Sequence, residues 1–179
     1  MSYDNSPLLV ERNERGFWVR AQQLDQDKSN IGLSYVLACS AVPVSLTGTL
    51  VETVLQSITV PGGLLGRNGA LRLSSFWTAT NNANTKTVKA SFGGQQFYAA
   101  ATGTWASFGM LANLANRNSE NSQVSTPINV TSVLGGLGQP LRTFAVDTAQ
   151  PQNLEIRGIL ANVGDTLTLE HYVLEVFPG

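Results

Sequence analysis

From Thr49 onward the chain alternates apolar and polar residues with the period of an extended strand, and each alternating run closes on turn-forming residues. Leu50 to Val60 is rich in Val, Ile and Thr and stops at Pro61-Gly62-Gly63. In the next run Leu71, Leu73 and Trp77 fall on one face, with Arg72, Ser74, Phe76 and Thr78 opposite. Asn81-Asn82-Ala83-Asn84 breaks the pattern with amide side chains that bond their own backbone and so favour turns. Val88, Ala90 and Phe92 resume it, with Thr87, Lys89 and Ser91 opposite. These two runs predict a β-hairpin with a polar tip, entered through the tight turn Asn68-Gly69. Gln95 to Ala101 predicts a further strand. So does Trp105 to Ala115, where small residues and Gly109 favour strand over helix. Asn116 to Gln123 reads as a polar loop, and Leu134 to Gln139 is too rich in glycine for a regular element. Leu141 to Asp147, Asn153 to Leu160 and Thr166 to Phe177 predict the closing strands.

Thr166 to Phe177 begins with clean alternation and then becomes apolar on both sides, as expected of a central sandwich strand or one at a subunit interface. His171, the single histidine, is expected on the face of Leu167, Leu169 and Val173, partly buried with one hydrogen-bond partner. Ile31 to Leu46 is apolar-leaning but interrupted by Ser34, Ser40, Pro43 and Ser45, too short and broken to span a bilayer. It reads as a buried strand with Cys39 as a small core residue. Strands at regular spacing, without an amphipathic helix, define an all-β antiparallel sandwich over residues 46–179. Residues 1–45 form an N-terminal arm that adds one or two strands.

Charge changes the picture in the arm and in the middle of the chain. Asp4, Glu11, Arg12, Glu14, Arg15, Arg20, Asp25, Asp27 and Lys28 crowd the first thirty residues around the apolar clusters Leu8-Leu9-Val10 and Phe17-Trp18-Val19. Phe17 and Trp18 are candidate attachment anchors, since exposed aromatic clusters in a terminal arm often dock. Charged residues make up only 13% of the chain, against about 25% in a typical soluble protein. A polar but uncharged surface suits a protein that packs against copies of itself. No Asp or Glu lies between Glu52 and Glu120, where Arg67, Arg72, Lys86 and Lys89 read as solvated strand residues. A net charge of −1 argues against a nucleic-acid partner, which requires a basic field. No targeting signal precedes the first strands, and no membrane partner is expected.

The segment Leu64 to Phe92 resembles a recurrent segment of small structural proteins of tailed bacteriophages. The residues that carry the resemblance are Gly66, Asn68, Gly69, Leu71, Arg72, Trp77, Thr80 to Asn84, Lys86, Phe92, Gly93 and Gly94. Asn116-Arg117-Asn118-Ser119-Glu120-Asn121-Ser122-Gln123 is similar to an Asn-Arg-x-Ser-x-Asn-Ser-Gln loop of the same family. The resemblance runs from about Leu46 to the last residue. It implies a jelly-roll sandwich that trimerises as a capsid decoration, head fibre or tail appendage. The expected partners are then the chain itself, as a homotrimer, and other capsid or tail proteins, with the virion as location.

The residues offer little for catalysis. No G-x-S-x-G serine occurs for His171 to activate, and one His with one Cys cannot make a zinc site without several carboxylates. No calcium loop or phosphate loop occurs. Glu155, Glu170 and Glu175 lie on neighbouring predicted strands, the one arrangement open to a paired-carboxylate glycosidase. Neither an activity nor a cofactor or metal is expected. Two further readings remain open: an esterase or lyase with His171 as base, and a module that binds a bacterial surface carbohydrate. For the second, Trp105 supplies a planar ring, and Asn116, Arg117 and Asn118 supply polar contacts.

Overall fold

The computed structural model describes residues 33–126 and 140–179. Among them lie the strands β1 (Tyr35–Ser40), β2 (Val44–Thr47), β3 (Thr53–Val60), β4 (Ala70–Ala79), β5 (Lys86–Phe92), β6 (Gln95–Thr102), β7 (Ser107–Asn116), β8 (Gln123–Ser125), β9 (Arg142–Phe144), β10 (Gln152–Leu160) and β11 (Thr166–Phe177). One sheet runs β1-β11-β4-β7-β8-β9, with β2 also paired to β11, and the second runs β3-β10-β5-β6. Every pairing is antiparallel. The chain passes from sheet to sheet after β2, β3, β4, β6, β9 and β10, which places first and last strands side by side. That is the order of a jelly roll, two Greek keys rolled into a sandwich. The expected fold class is therefore found. Residues 35–45, assigned to the arm by the sequence, form β1 and open β2 along β11.

Alternation fixes which side chains fill the space between the sheets. Leu71, Leu73 and Trp77 of β4 and Met110, Ala112 and Leu114 of β7 face Val88, Ala90 and Phe92 of β5 and Leu154 and Ile156 of β10, all buried. The predicted hairpin is not one. β4 pairs with β11 and β7, whereas β5 pairs with β10 and β6, so residues 80–85 cross between the sheets. Alternation reports a half-buried strand but not its neighbour, and two strands on facing sheets carry the same pattern as a hairpin. The crossover is tied to the β10–β11 turn through Thr80 N–H to Thr166 O (3.0 Å) and Ala161 N–H to Thr85 O (3.0 Å).

Two further expectations are corrected by bulges. In β11 the register with β4 jumps between Leu169 and His171, leaving Glu170 as an extra residue. The inward set therefore changes from Leu167 and Leu169 to Tyr172, Leu174 and Val176. What reads as apolar on both faces is one face with its phase reset. His171 and Val173 consequently point outward, away from the face shared by Leu167 and Leu169. In β1 the register shifts between Val36 and Ala38. Tyr35, Leu37 and Ala38 pack on the core, and Cys39, expected inside, is exposed.

Candidate functional site

The outer faces of the two sheets differ in kind. On the second sheet the outward residues are charged and paired. Lys89 Nζ donates to Glu52 Oε2 (2.6 Å), Arg157 Nη1 to Glu52 Oε1 (3.0 Å), and Arg157 also forks onto Glu155. On the first sheet the register across β1, β11, β4 and β7 sets Val36, Glu175, Arg72 and Asn113 in one row and Cys39, Val173, Ser74 and Leu111 in the next. His171, Phe76 and Gly109 form a third row. Phe76 is 62% exposed although β4 is central in its sheet. Its ring stacks on His171 at 5.7 Å between centroids and lies over Gly109, which leaves it room. The charges on these rows form one bidentate pair, Arg72 Nε and Nη2 to Glu175 (2.7 and 3.0 Å), capped by the Phe177 ring 4.8 Å from the guanidinium. Four strands by about six residues give a face of roughly 400 Å², on which Val36, Cys39, Val173, Leu111 and Phe76 are interspersed with Glu175, Arg72, Asn113, Ser74 and His171.

The residues singled out from sequence are scattered by the fold. Phe17 and Trp18 lie outside the described residues. Trp105 precedes β7 and tilts against Phe108 at 6.3 Å, while Asn116, Arg117 and Asn118 follow at the other end of that strand, about 30 Å away. One site cannot hold both. Asn116, expected as a sugar contact, is instead buried. Its Nδ2 donates to Gly66 O (2.6 Å) and Thr148 Oγ1 (2.9 Å), and its Oδ1 accepts from Gln123 Nε2 (2.8 Å). Arg117 and Asn118 are exposed, and the rest of the loop helps line an open depression of about 550 Å³ with Arg67, Ser119, Glu120, Asn121 and Asp147. Glu155 sits on the second sheet, and Glu170 and Glu175 on the first, so they do not form a carboxylate pair across neighbouring strands. Among the described residues no three of His, Cys, Asp and Glu gather as a metal would require, and no helix is long and apolar enough to cross a membrane.

Sequence reading passed over two features. Phe76 was visible as an aromatic at an outward position of an otherwise polar stripe. Lys86, read as a solvated residue, has a fully buried side chain. It shares the parity of Val88, Ala90 and Phe92, and that was the available signal. Its neighbour Asp165, also buried, holds its carboxyl below the ordinary range, first through the Asn82 amide and also through Asn84 and the Lys86 charge. Glu52 is lowered chiefly by Lys89 and then Arg157, and Glu175 by Arg72. A depressed carboxyl stabilises the fold above its unfolded value and loses that contribution as pH falls through its folded value. Melting temperature should therefore be level above about pH 5 and fall as pH drops below about 4. The Asp165→Asn variant should melt lower at neutral pH and lose less on acidification, as thermal melts across that range will read.

Fold and faces together define a jelly-roll sandwich with paired charges outside one sheet and, outside the other, exposed apolar residues around a single ion pair. No protein-family model and no curated protein matches the chain. Among solved structures, dimeric latent PorU from Porphyromonas gingivalis is similar over 78% of this chain at 9% identity, with a TM-score of 0.37. The chain spans 13% of that protein's length, and so slight a likeness bears on neither fold detail nor function.

Proposed function

We propose that this chain is a non-enzymatic structural subunit of a bacteriophage particle, acting as a homotrimer that decorates or cements the capsid or forms a small head or tail fibre. The observation that carries the reading is the outer face of the first sheet, where Phe76 at 62% exposure stands with exposed Val36 and Leu111, opposite a charged second sheet. A face of that composition favours burial against another apolar surface. A chain poor in charge has few groups to desolvate when copies pack. The jelly-roll order and the phage-like wording of the Leu64–Phe92 and Asn116–Gln123 segments support the same reading. In mechanism, each sandwich fills its own core, and the outer rows of β1, β11, β4 and β7 pack around a three-fold axis. The arm, with Phe17 and Trp18, then attaches the trimer to other capsid or tail proteins. Light scattering tests this directly. A species of about 57 kDa, three chains of 19.1 kDa each, is the expected closed ring. A species of 19.1 kDa at micromolar concentration would count against it.

The depression around Arg67, Glu120 and Asp147 favours a second reading, recognition of a bacterial surface carbohydrate. Its lining pairs a guanidinium with carboxylates and amides, groups that bond sugar hydroxyls. Glycan-array binding that disappears in Arg67→Ala and Asp147→Ala would support that reading, and a blank array would remove it.

A further inference from the structure

Lys86 opens β5 with its side chain wholly inside the protein. Its Nζ donates to Asn82 Oδ1 at 2.5 Å and to the Asn84 carbonyl at 2.9 Å. Asn82 Nδ2 donates to Asp165 Oδ1 at 2.6 Å, and the Asn84 backbone N–H donates to Asn82 Oδ1 at 2.9 Å. The other carboxylate oxygen, Asp165 Oδ2, is buried, makes no hydrogen bond and stands 3.6 Å from Lys86 Nζ. A buried amine and a buried carboxylate thus converge on a half-buried carboxamide at the crossover between the sheets. We propose that this triad forms an intramolecular amide between Lys86 Nζ and Asn82 Cγ, with Asp165 as the proton carrier.

The groups needed for each step are present, and the proton transfer requires the 3.6 Å between Lys86 Nζ and Asp165 Oδ2 to close to hydrogen-bond distance. A carbonyl bond is about 1.2 Å long, so Nζ lies no more than about 3.7 Å from Asn82 Cγ, close to the separation of a near-attack arrangement. Transfer of a proton from Lys86 Nζ to Asp165 Oδ2 frees the amine lone pair, which attacks Cγ. The charge that develops on Asn82 Oδ1 meets the Asn84 N–H already aimed at it. Asp165 lies beside Nδ2, returns that proton to the departing nitrogen, and then carries the second proton from the attached Lys86 nitrogen to the released ammonia. One C–N bond forms and one breaks. Lys86 ammonium and Asn82 carboxamide become an amide and an ammonium ion, nothing is oxidised or reduced, and Asp165 ends as the carboxylate it began. The product replaces a buried ammonium with a neutral group, which lowers the desolvation cost of the site.

The intact mass of the purified chain after prolonged incubation, followed by tryptic mapping, tests the bond. The expected mass is below that of the sequence by one ammonia, about 17 Da. The same deficit should sit in a peptide from Leu73 to Lys89 left uncut after Lys86, because trypsin does not cleave at an acylated lysine. Lys86→Arg and Asp165→Asn should keep their full masses. A wild-type chain of full mass that is cut after Lys86 overturns the proposal. A deficit that persists in Lys86→Arg also overturns it, since it marks closure of Asn82 onto its own backbone. The wild-type peptide map decides even if neither variant folds.

Discussion

Replacing Phe76 with Asp should reduce the proposed trimer to single chains of 19.1 kDa while leaving the sandwich folded. Phe76 points outward from a central strand, 62% exposed in the single chain, so its removal costs the core little. Outward substitutions of this kind usually change stability by less than about 0.5 kcal/mol. In the proposed trimer the same ring would be buried, and full burial of a phenylalanine is worth about 1.5 to 3 kcal/mol. The aspartate forfeits that and adds an unpaired charge to the contact, beside the His171, Val173 and Leu111 positions. Association should weaken by at least about a hundredfold, since each 1.4 kcal/mol is a factor of ten. Light scattering at micromolar protein reads the loss directly. Cys39 lies on the same face, one row along, and provides an independent reporter. Its alkylation should be slow in the wild-type assembly and fast in Phe76→Asp. A variant that keeps the wild-type mass would show that copies meet elsewhere. A variant that unfolds would show that the ring serves its own chain.

The second large effect is expected inside the protein, at Gln123. This fully buried amide opens β8 and joins three parts of the chain. Its Oε1 accepts the Val146 N–H at 2.7 Å, and its Nε2 donates to the Val146 carbonyl at 3.1 Å and to Asn116 Oδ1 at 2.8 Å. Asn116 passes the network on to Gly66 and Thr148, and Thr148 to Glu120. Gln123→Leu keeps the volume and removes the polar atoms, which strands a buried N–H and leaves two acceptors short of a donor. Each such group costs about 1 to 3 kcal/mol, so the variant should lose roughly 3 kcal/mol or more. For a chain of this size that lowers the melting temperature by on the order of 10 °C. Asn116→Ala should act in the same direction, and the double variant should lose less than the sum because the partners are shared. Additive losses would show that the two amides act separately.

The strands were legible in the sequence because a half-buried strand must alternate. Leu71, Leu73 and Trp77 against Arg72, Ser74 and Phe76 fixed the faces of β4 without any knowledge of its partners. Partners were not legible, which is why β4 and β5 read as a hairpin. The bulge at Glu170 was also invisible, since an extra residue in a Leu-Glu-His-Tyr run has no compositional mark, and it moved His171 to the outer face. Lys86 was misread for a different reason. Residue type was weighed above parity, although its place two residues before Val88 put it on the inward side. The Asn116–Gln123 stretch was read as a polar loop, which holds for residues 117–122, but Asn116 ends β7 and Gln123 opens β8, and burial depends on what folds over them. Val146 and Thr148, some thirty residues away, make Asn116 and Gln123 interior residues. The apolar outer face was written in Phe76, Val173 and Leu111, yet only the register across β11, β4 and β7 brings them side by side.

Glu170 also separates two properties that usually change together. Removing it from β11 would restore uninterrupted alternation, with Leu167, Leu169, Tyr172, Leu174 and Val176 still inward and His171 and Val173 still outward. No core side chain and no outer side chain would change its allegiance, apart from the Thr78 hydroxyl that bonds Glu170 at 2.5 Å. What would change is the bend, because a bulge kinks its strand and tightens the local twist. The residue is thus a shim. It sets the curvature of the surface that neighbouring copies would meet without altering its chemistry, so a one-residue deletion there separates the shape of that surface from its stickiness.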